Sequence, residues 1–187
     1  GLSLVTCFQS QAVEKKRAFE FLAGAATADV TPKNGVSMDG AISKPGPAKG
    51  VHDPLPTRAI VMKSGGTTVA LAIVDMCMIE KSVYDQAKEI VQEKVGIQPS
   101  HILAAATHSH ATPRAIHIGR GPLDDAYHVW LSKQIAAAII KAHGNLAPAT
   151  VAHGSFEQPS FIKCRRFLCE PGTVGANPFG ETGERIK

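Results

Sequence analysis

The stretch Arg58-Ala59-Ile60-Val61-Met62-Lys63, then Ser64-Gly65-Gly66, then Thr67-Thr68-Val69-Ala70-Leu71-Ala72-Ile73-Val74 decides the fold. Two runs of β-branched and apolar residues flank a glycine pair, and glycine supplies the positive φ that a tight turn between antiparallel strands requires. The sequence therefore predicts a β-hairpin. Val69 to Val74 is apolar without interruption, the pattern of a strand covered on both faces, as in layered α/β structure. Asp75 ends it.

Toward the C-terminus, Val83, Tyr84, Ala87, Ile90, Val91 and Val95 recur at helical spacing. They predict an amphipathic helix over 80–95, closed by Gly96 and stopped by Pro99. His101 to Thr107 reads as the next apolar strand. Asp124 then opens a second helix, with Tyr127, Trp130, Leu131, Ile135, Ala138 and Ile139 on one face as far as Gly144. Pro148 leads into an expected strand over 149–156, and the residues after Phe161 show no periodicity. Toward the N-terminus, Phe19 to Ala28 predicts a strand that stops before Pro32, whose ring and missing N–H cannot continue a ladder. Residues 33–56 form a long Gly/Pro-rich loop, of the kind that is usually functional or mobile. Strand, hairpin, helix, strand, helix, strand implies an α/β class: a mixed β-sheet layered with α-helices, with some parallel pairs.

The chain has 187 residues, 44% hydrophobic and 19% charged, which fits a globular domain and excludes disordered or fibrous classes. Twenty Lys and Arg against sixteen Asp and Glu give a net charge of +4, dispersed along the chain, so nucleic acid is not expected as a partner. No run of about 18 apolar residues marks a transmembrane helix. Cys7, Cys77, Cys164 and Cys169 form no CxxC pair, and reduced cysteines are expected although Cys164 and Cys169 could pair. The apolar run Leu2 to Cys7 and the small-x-small Ser10-Gln11-Ala12 suit either the tail of an export signal or a frayed terminus. Either way, residues 1–17 are set apart from the fold.

The chemistry-bearing feature is Thr107-His108-Ser109-His110, where an apolar strand runs into a loop containing Pro113. In extended chain residues i and i+2 share a face, so the two imidazoles should project side by side. Zinc takes neutral imidazole nitrogen, and a catalytic site needs about three protein ligands with one position open. An arbitrary HxH is as readily a pair of surface histidines. His117 is near enough in sequence to return to the same place. His52 in Gly50-Val51-His52-Asp53-Pro54 is either a site residue or a turn residue, and Asp75 is equally open. His101, His128, His143 and His153 read as structural. A metallo-β-lactamase-type site would continue with x-Asp-His where Thr112 and Pro113 stand, and an amidohydrolase barrel needs about 250 residues and an HxH on its first strand.

Four motifs in order give a more specific reading. Ala28-Asp29-Val30-Thr31 is followed by Gly50-Val51-His52 leading to Arg58-Ala59-Ile60-Val61. Val74-Asp75-Met76-Cys77-Met78-Ile79 and Ala106-Thr107-His108-Ser109-His110 come next. Over about residues 22–170 the chain resembles the first part of the neutral/alkaline non-lysosomal ceramidases. The resemblance implies a zinc-dependent amidase that hydrolyses the N-acyl bond of ceramide, with residues 18–187 as the N-terminal part of its hydrolase domain, while the export-signal reading of the N-terminus would place the protein outside the cell, at its surface or in the periplasm. It implies His108 as a zinc ligand, with His110 beside the metal to orient substrate or water. It implies Arg165 at the substrate site, although Cys164 precedes it where the family has asparagine. The family's further His, Glu and Tyr ligands lie farther along than this sequence extends. Where the family has Ser-Gly-Pro-Gly after the pair, this chain has Ala111-Thr112-Pro113-Arg114, and the lost glycine is expected to reduce backbone freedom there. His110 or His117 could manage protons, and the 33–56 loop could close over an acyl substrate with Arg58 or Arg165 steering a polar group. A non-catalytic ligand-binding module and an amidase on another N-acyl substrate remain alternatives; oligomeric state is not legible.

Overall fold

The computed structural model describes residues 20–33, 35–40, 46–117 and 124–161 and the two-residue strands at 167–168 and 174–175. The expectations for residues 1–17, Cys164, Arg165 and Cys169 lie outside these residues. The chain divides into two compact units, Gly1–Thr150 and Val151–Lys187.

The first unit is built on the hairpin. Strand β1 (Phe21–Asp29) is followed by β2 (Met38–Asp39), β3 (Pro56–Ser64) and β4 (Thr67–Val74). Ser64 pairs with Thr67 across a turn in which Gly65 has φ +56°, the left-handed backbone foreseen for a glycine. Helix α1 (Lys81–Val95) ends on Gly96 at φ +75°, whose N–H bonds to Gln92 O. Its face of Val83, Ala87 and Val91 is buried, and each fully buried valine stabilises the fold by roughly 1.5–3 kcal/mol. A 3₁₀ turn at Pro99–His101 leads into β5 (Ile102–Ala106), then β6 (Thr112–Pro113), helix α2 (Asp125–Gly144) and β7 (Ala147–Pro148). Asp124 caps α2 by accepting from Tyr127 N at 2.9 Å. Tyr127 Oη donates to Val30 O at 2.8 Å, tying the first turn of α2 to the end of β1.

The sheet order is β5-β4-β3-β1-β7, and β4–β5 is its one parallel pair. The fold is α/β. A parallel pair needs a crossover, and α1 supplies it. The second expected crossover instead carries the chain to the far edge, where β7 runs antiparallel to β1.

Two expectations are corrected. The strand expected over 149–156 does not form: after Ala149 N bonds to Phe21 O, β1 has reached its first residue and offers no further partner. Among the described residues, the continuous apolar run Val69–Val74 is covered on one face only. Ala70, Ala72 and Val74 are buried on the helix side, whereas Leu71 and Ile73 are exposed, as are Ile60 and Leu103 on the flanking strands. Among the described residues of the 33–56 loop, Gly35 N bonds Ala48 O, Ala48 N bonds Val36 O, and β2 pairs antiparallel with β6.

In the second unit a 3₁₀ turn covers Pro159–Phe161, and β8 (Phe167–Leu168) pairs antiparallel with β9 (Val174–Gly175).

Gly24 lets sheet and helix approach closely, since a Cβ there would lie 2.2 Å from Ala142 O. Gly24→Ala is expected to destabilise the chain by about 3 kcal/mol, because backbone has to move. Gly50→Ala, whose Cβ meets nothing within 4 Å, should stay within about 0.5 kcal/mol of wild type in the same urea titration.

Candidate metal centre

The C-terminal ends of the parallel strands β4 and β5 position the site. Past β4 the chain runs Asp75-Met76-Cys77, and past β5 it runs Thr107 to Ala111. The two segments stay in register as Thr107 N bonds Val74 O at 3.0 Å and Ser109 N bonds Met76 O at 3.2 Å. Thr112, fully buried, completes the stitching. Its Oγ1 accepts from Cys77 N at 2.9 Å and donates to Ser109 O at 3.2 Å. Backbone pairing of β6 with β2 and a 2.7 Å bond from Arg114 N to Ser37 O then hold the far end of the loop.

Within this frame His108 adopts φ +64°, the only positive φ at a non-glycine among the described residues. Left-handed backbone costs a side-chain-bearing residue about 1–2 kcal/mol, although histidine tolerates it better than most. The two rings come together, with centroids 4.9 Å apart in an edge-on arrangement. Their neighbourhood is therefore as expected, but its cause differs. Strand alternation ends at Ala106, and the left-handed turn at His108 brings the rings into contact.

The sequence reading missed the third member. Cys77 Sγ lies 3.8 Å from His108 Nδ1, and the Cys77 carbonyl oxygen lies 3.0 Å from the same nitrogen. A carbonyl can only accept, so Nδ1 carries the proton and Nε2 keeps its lone pair. A carbonyl contact of this kind fixes the tautomer of metal-ligating histidines. One donor atom each from Cys77, His108 and His110 falls within 4.8 Å of the others, and the three can hold a metal ion. Burial, and secondarily the negative charge of Asp39, push the Cys77 thiol up from its ordinary value, so without a metal it stays protonated at neutral pH. Gly40, at φ +90°, lets His110 pack closely: a Cβ there would lie 2.4 Å from His110 Cα. Only the position of Cys77 at a strand end beside the HxH strand could have signalled its role.

The other candidates go elsewhere. His117 does not join the pair. Its backbone N and Nδ1 both bond Glu80 Oε1, at 2.6 and 2.8 Å, and its ring lies 6.3 Å from that of the buried His128. Glu80 is the residue before α1, and its carboxylate serves His117 instead of capping the helix. These bonds hold the Glu80 carboxyl below its ordinary range. His52 pairs with Asp53 at 2.8 Å, both exposed, and Asp75 accepts from Arg58 Nη1 at 2.9 Å. A cleft of about 670 Å³ runs alongside, lined by Met38, Val51, Leu55, Asp75, Thr107 and Ser109 among others. His52 and Asp53 also line it, but the two histidines of the pair do not.

No family model matches the sequence, and no curated protein does. Solved structures do match in fold. Neutral ceramidase from Pseudomonas aeruginosa superposes with a TM-score of 0.59 at 20% identity, over 70% of this chain and 22% of that one. This chain has a neutral-ceramidase-like fold. A ceramidase complexed with C2 gives 0.58 at 19% identity, again over 70% and 22%. The chain thus spans about a fifth of the length of these ceramidases. Among the described residues no helix is long and apolar enough to cross a membrane.

Two outcomes are expected. Gly40→Ala should displace His110, loosening any bound metal by about tenfold or more in a chelator competition. Because Glu80 is depressed, its bonds to His117 stabilise the fold above the unfolded carboxyl value, and this contribution is lost as pH falls through the lower folded value. Glu80→Gln should therefore melt below wild type at pH 7, and the gap should close as pH falls below 4.5.

Proposed function

We propose that the chain forms part of a zinc-dependent amide hydrolase that cleaves the N-acyl bond of ceramide or a related N-acyl lipid. One observation carries the reading: the donor atoms of Cys77, His108 and His110 gather at the strand ends of a ceramidase-like fold. The ordered motifs from Ala28 to His110 support it. In this reading residues 18–187 are the N-terminal part of the hydrolase domain, and the protein acts outside the cell or in the periplasm.

The donor set fits zinc, which accepts imidazole nitrogen and thiolate sulfur. Zinc supplies Lewis acidity toward an amide carbonyl and toward water. His108 binds through Nε2, because its Nδ1 proton is committed to the Cys77 carbonyl. His110, exposed and edge-on to His108, would offer one ring nitrogen to the ion and orient substrate or water beside it. The cleft beside the loop offers Met38, Val51 and Leu55 to an acyl chain, and Thr107 and Ser109 to its polar end. Arg165 would steer the polar group, as the family resemblance implies.

Elemental analysis of the purified chain should find close to one zinc per molecule, and His108→Ala should lose most of it. Turnover of a fluorogenic N-acyl lipid should fall at least about 100-fold in the same variant. Zinc without turnover would favour a ligand-binding module, and no zinc in either protein would overturn the metal-site reading.

A further inference from the structure

Asp39 carries an oxygen that the hydrogen-bond network leaves unused. Its Oδ1 accepts from Gly40 N at 2.8 Å, whereas Oδ2 is buried with no hydrogen-bond partner among the described residues. A buried carboxylate oxygen without a donor is costly, and such groups are normally paired or placed beside a cation. The position is not incidental. Asp39 pairs in register with Thr112, whose hydroxyl binds both Cys77 N and Ser109 O, and Gly40 packs against His110. The unused oxygen therefore belongs to the same few residues that present the three metal donors, and it arrives from a distant part of the sequence through a two-residue strand.

We infer that Asp39 is a positioning residue for a divalent cation at Cys77, His108 and His110: its carboxylate offsets the cation's charge and holds the β2–β6 ribbon in the ligating form. The inference rests on the cluster being a metal centre. It places a negative charge near two imidazoles and a sulfur, and so favours a divalent ion over a monovalent one such as Cu(I).

Cobalt(II) titration of the purified chain, read by ligand-field and sulfur charge-transfer absorption, tests this, with zinc competition for affinity and melts of the metal-free protein. Asp39→Asn keeps the shape and removes the charge. It is expected to weaken cobalt binding about 10- to 100-fold, while the metal-free variant melts at or above wild type because a partnerless buried charge is gone. Asp39→Glu, which restores the charge, should recover part of the affinity. Wild-type affinity in Asp39→Asn would overturn the inference. So would a metal-free Asp39→Asn that melts well below wild type without recovery of affinity in Asp39→Glu, since that pattern marks a purely structural aspartate. If cobalt binds wild type and is lost in His108→Ala yet is indifferent to residue 39, only this inference fails. If wild type binds no cobalt, the metal-centre reading fails with it.

Discussion

Thr112 has one hydroxyl, fully buried, and that hydroxyl closes two backbone gaps at once. It receives the N–H of Cys77 where β4 has run out, and it gives its proton to Ser109 O in the middle of the histidine loop. Each would otherwise be an unmet polar group beside the core, at a cost of about 1–3 kcal/mol. Through backbone pairing the same residue also anchors Asp39. Strand end, histidine loop and distal loop meet on this side chain. The expectation that losing a glycine at this position would stiffen the backbone is therefore recast: position 112 lies in extended β6, where threonine is at ease, and the backbone freedom is required at His108 instead.

The parts of the fold that were legible have a period. The hairpin showed in Arg58 to Val74 with its glycine turn, and both helices in apolar spacings with their Gly96 and Asp124 boundaries. What was not legible lacks one. The β2–β6 ribbon is two residues on each side, too short for alternation, and it joins positions more than seventy apart in sequence. One-sided burial of Val69–Val74 could not be read either, because an unbroken apolar run looks the same whether one face is covered or both.

The site divides along the same line. His108 and His110 stood out because a single residue separates them in sequence. Cys77 and Asp39 did not, because each is a lone residue whose meaning comes from the strand end or ribbon that delivers it. His117 was near in sequence yet is drawn to Glu80, whose carboxylate offers two bonds that the histidine loop does not. The loop itself has two sides. Thr107, Ser109 and Ala111 line the cleft, while the alternate residues His108 and His110 meet each other and Cys77. Five residues of chain thus contribute both to the cleft and to the cluster of nitrogen and sulfur donors beside it.

Across the helix-free face of the sheet, Ile60, Leu71 and Leu103 are lateral neighbours on β3, β4 and β5, with Ile73 two residues along β4. β5 is also an edge strand of that sheet. An apolar strip that reaches an unpaired edge is a template for adhesion between molecules, because side chains and free backbone groups can be satisfied by the same encounter. Among the described residues this strip is where two copies of the chain would meet, so concentration becomes a variable in any solution work with it.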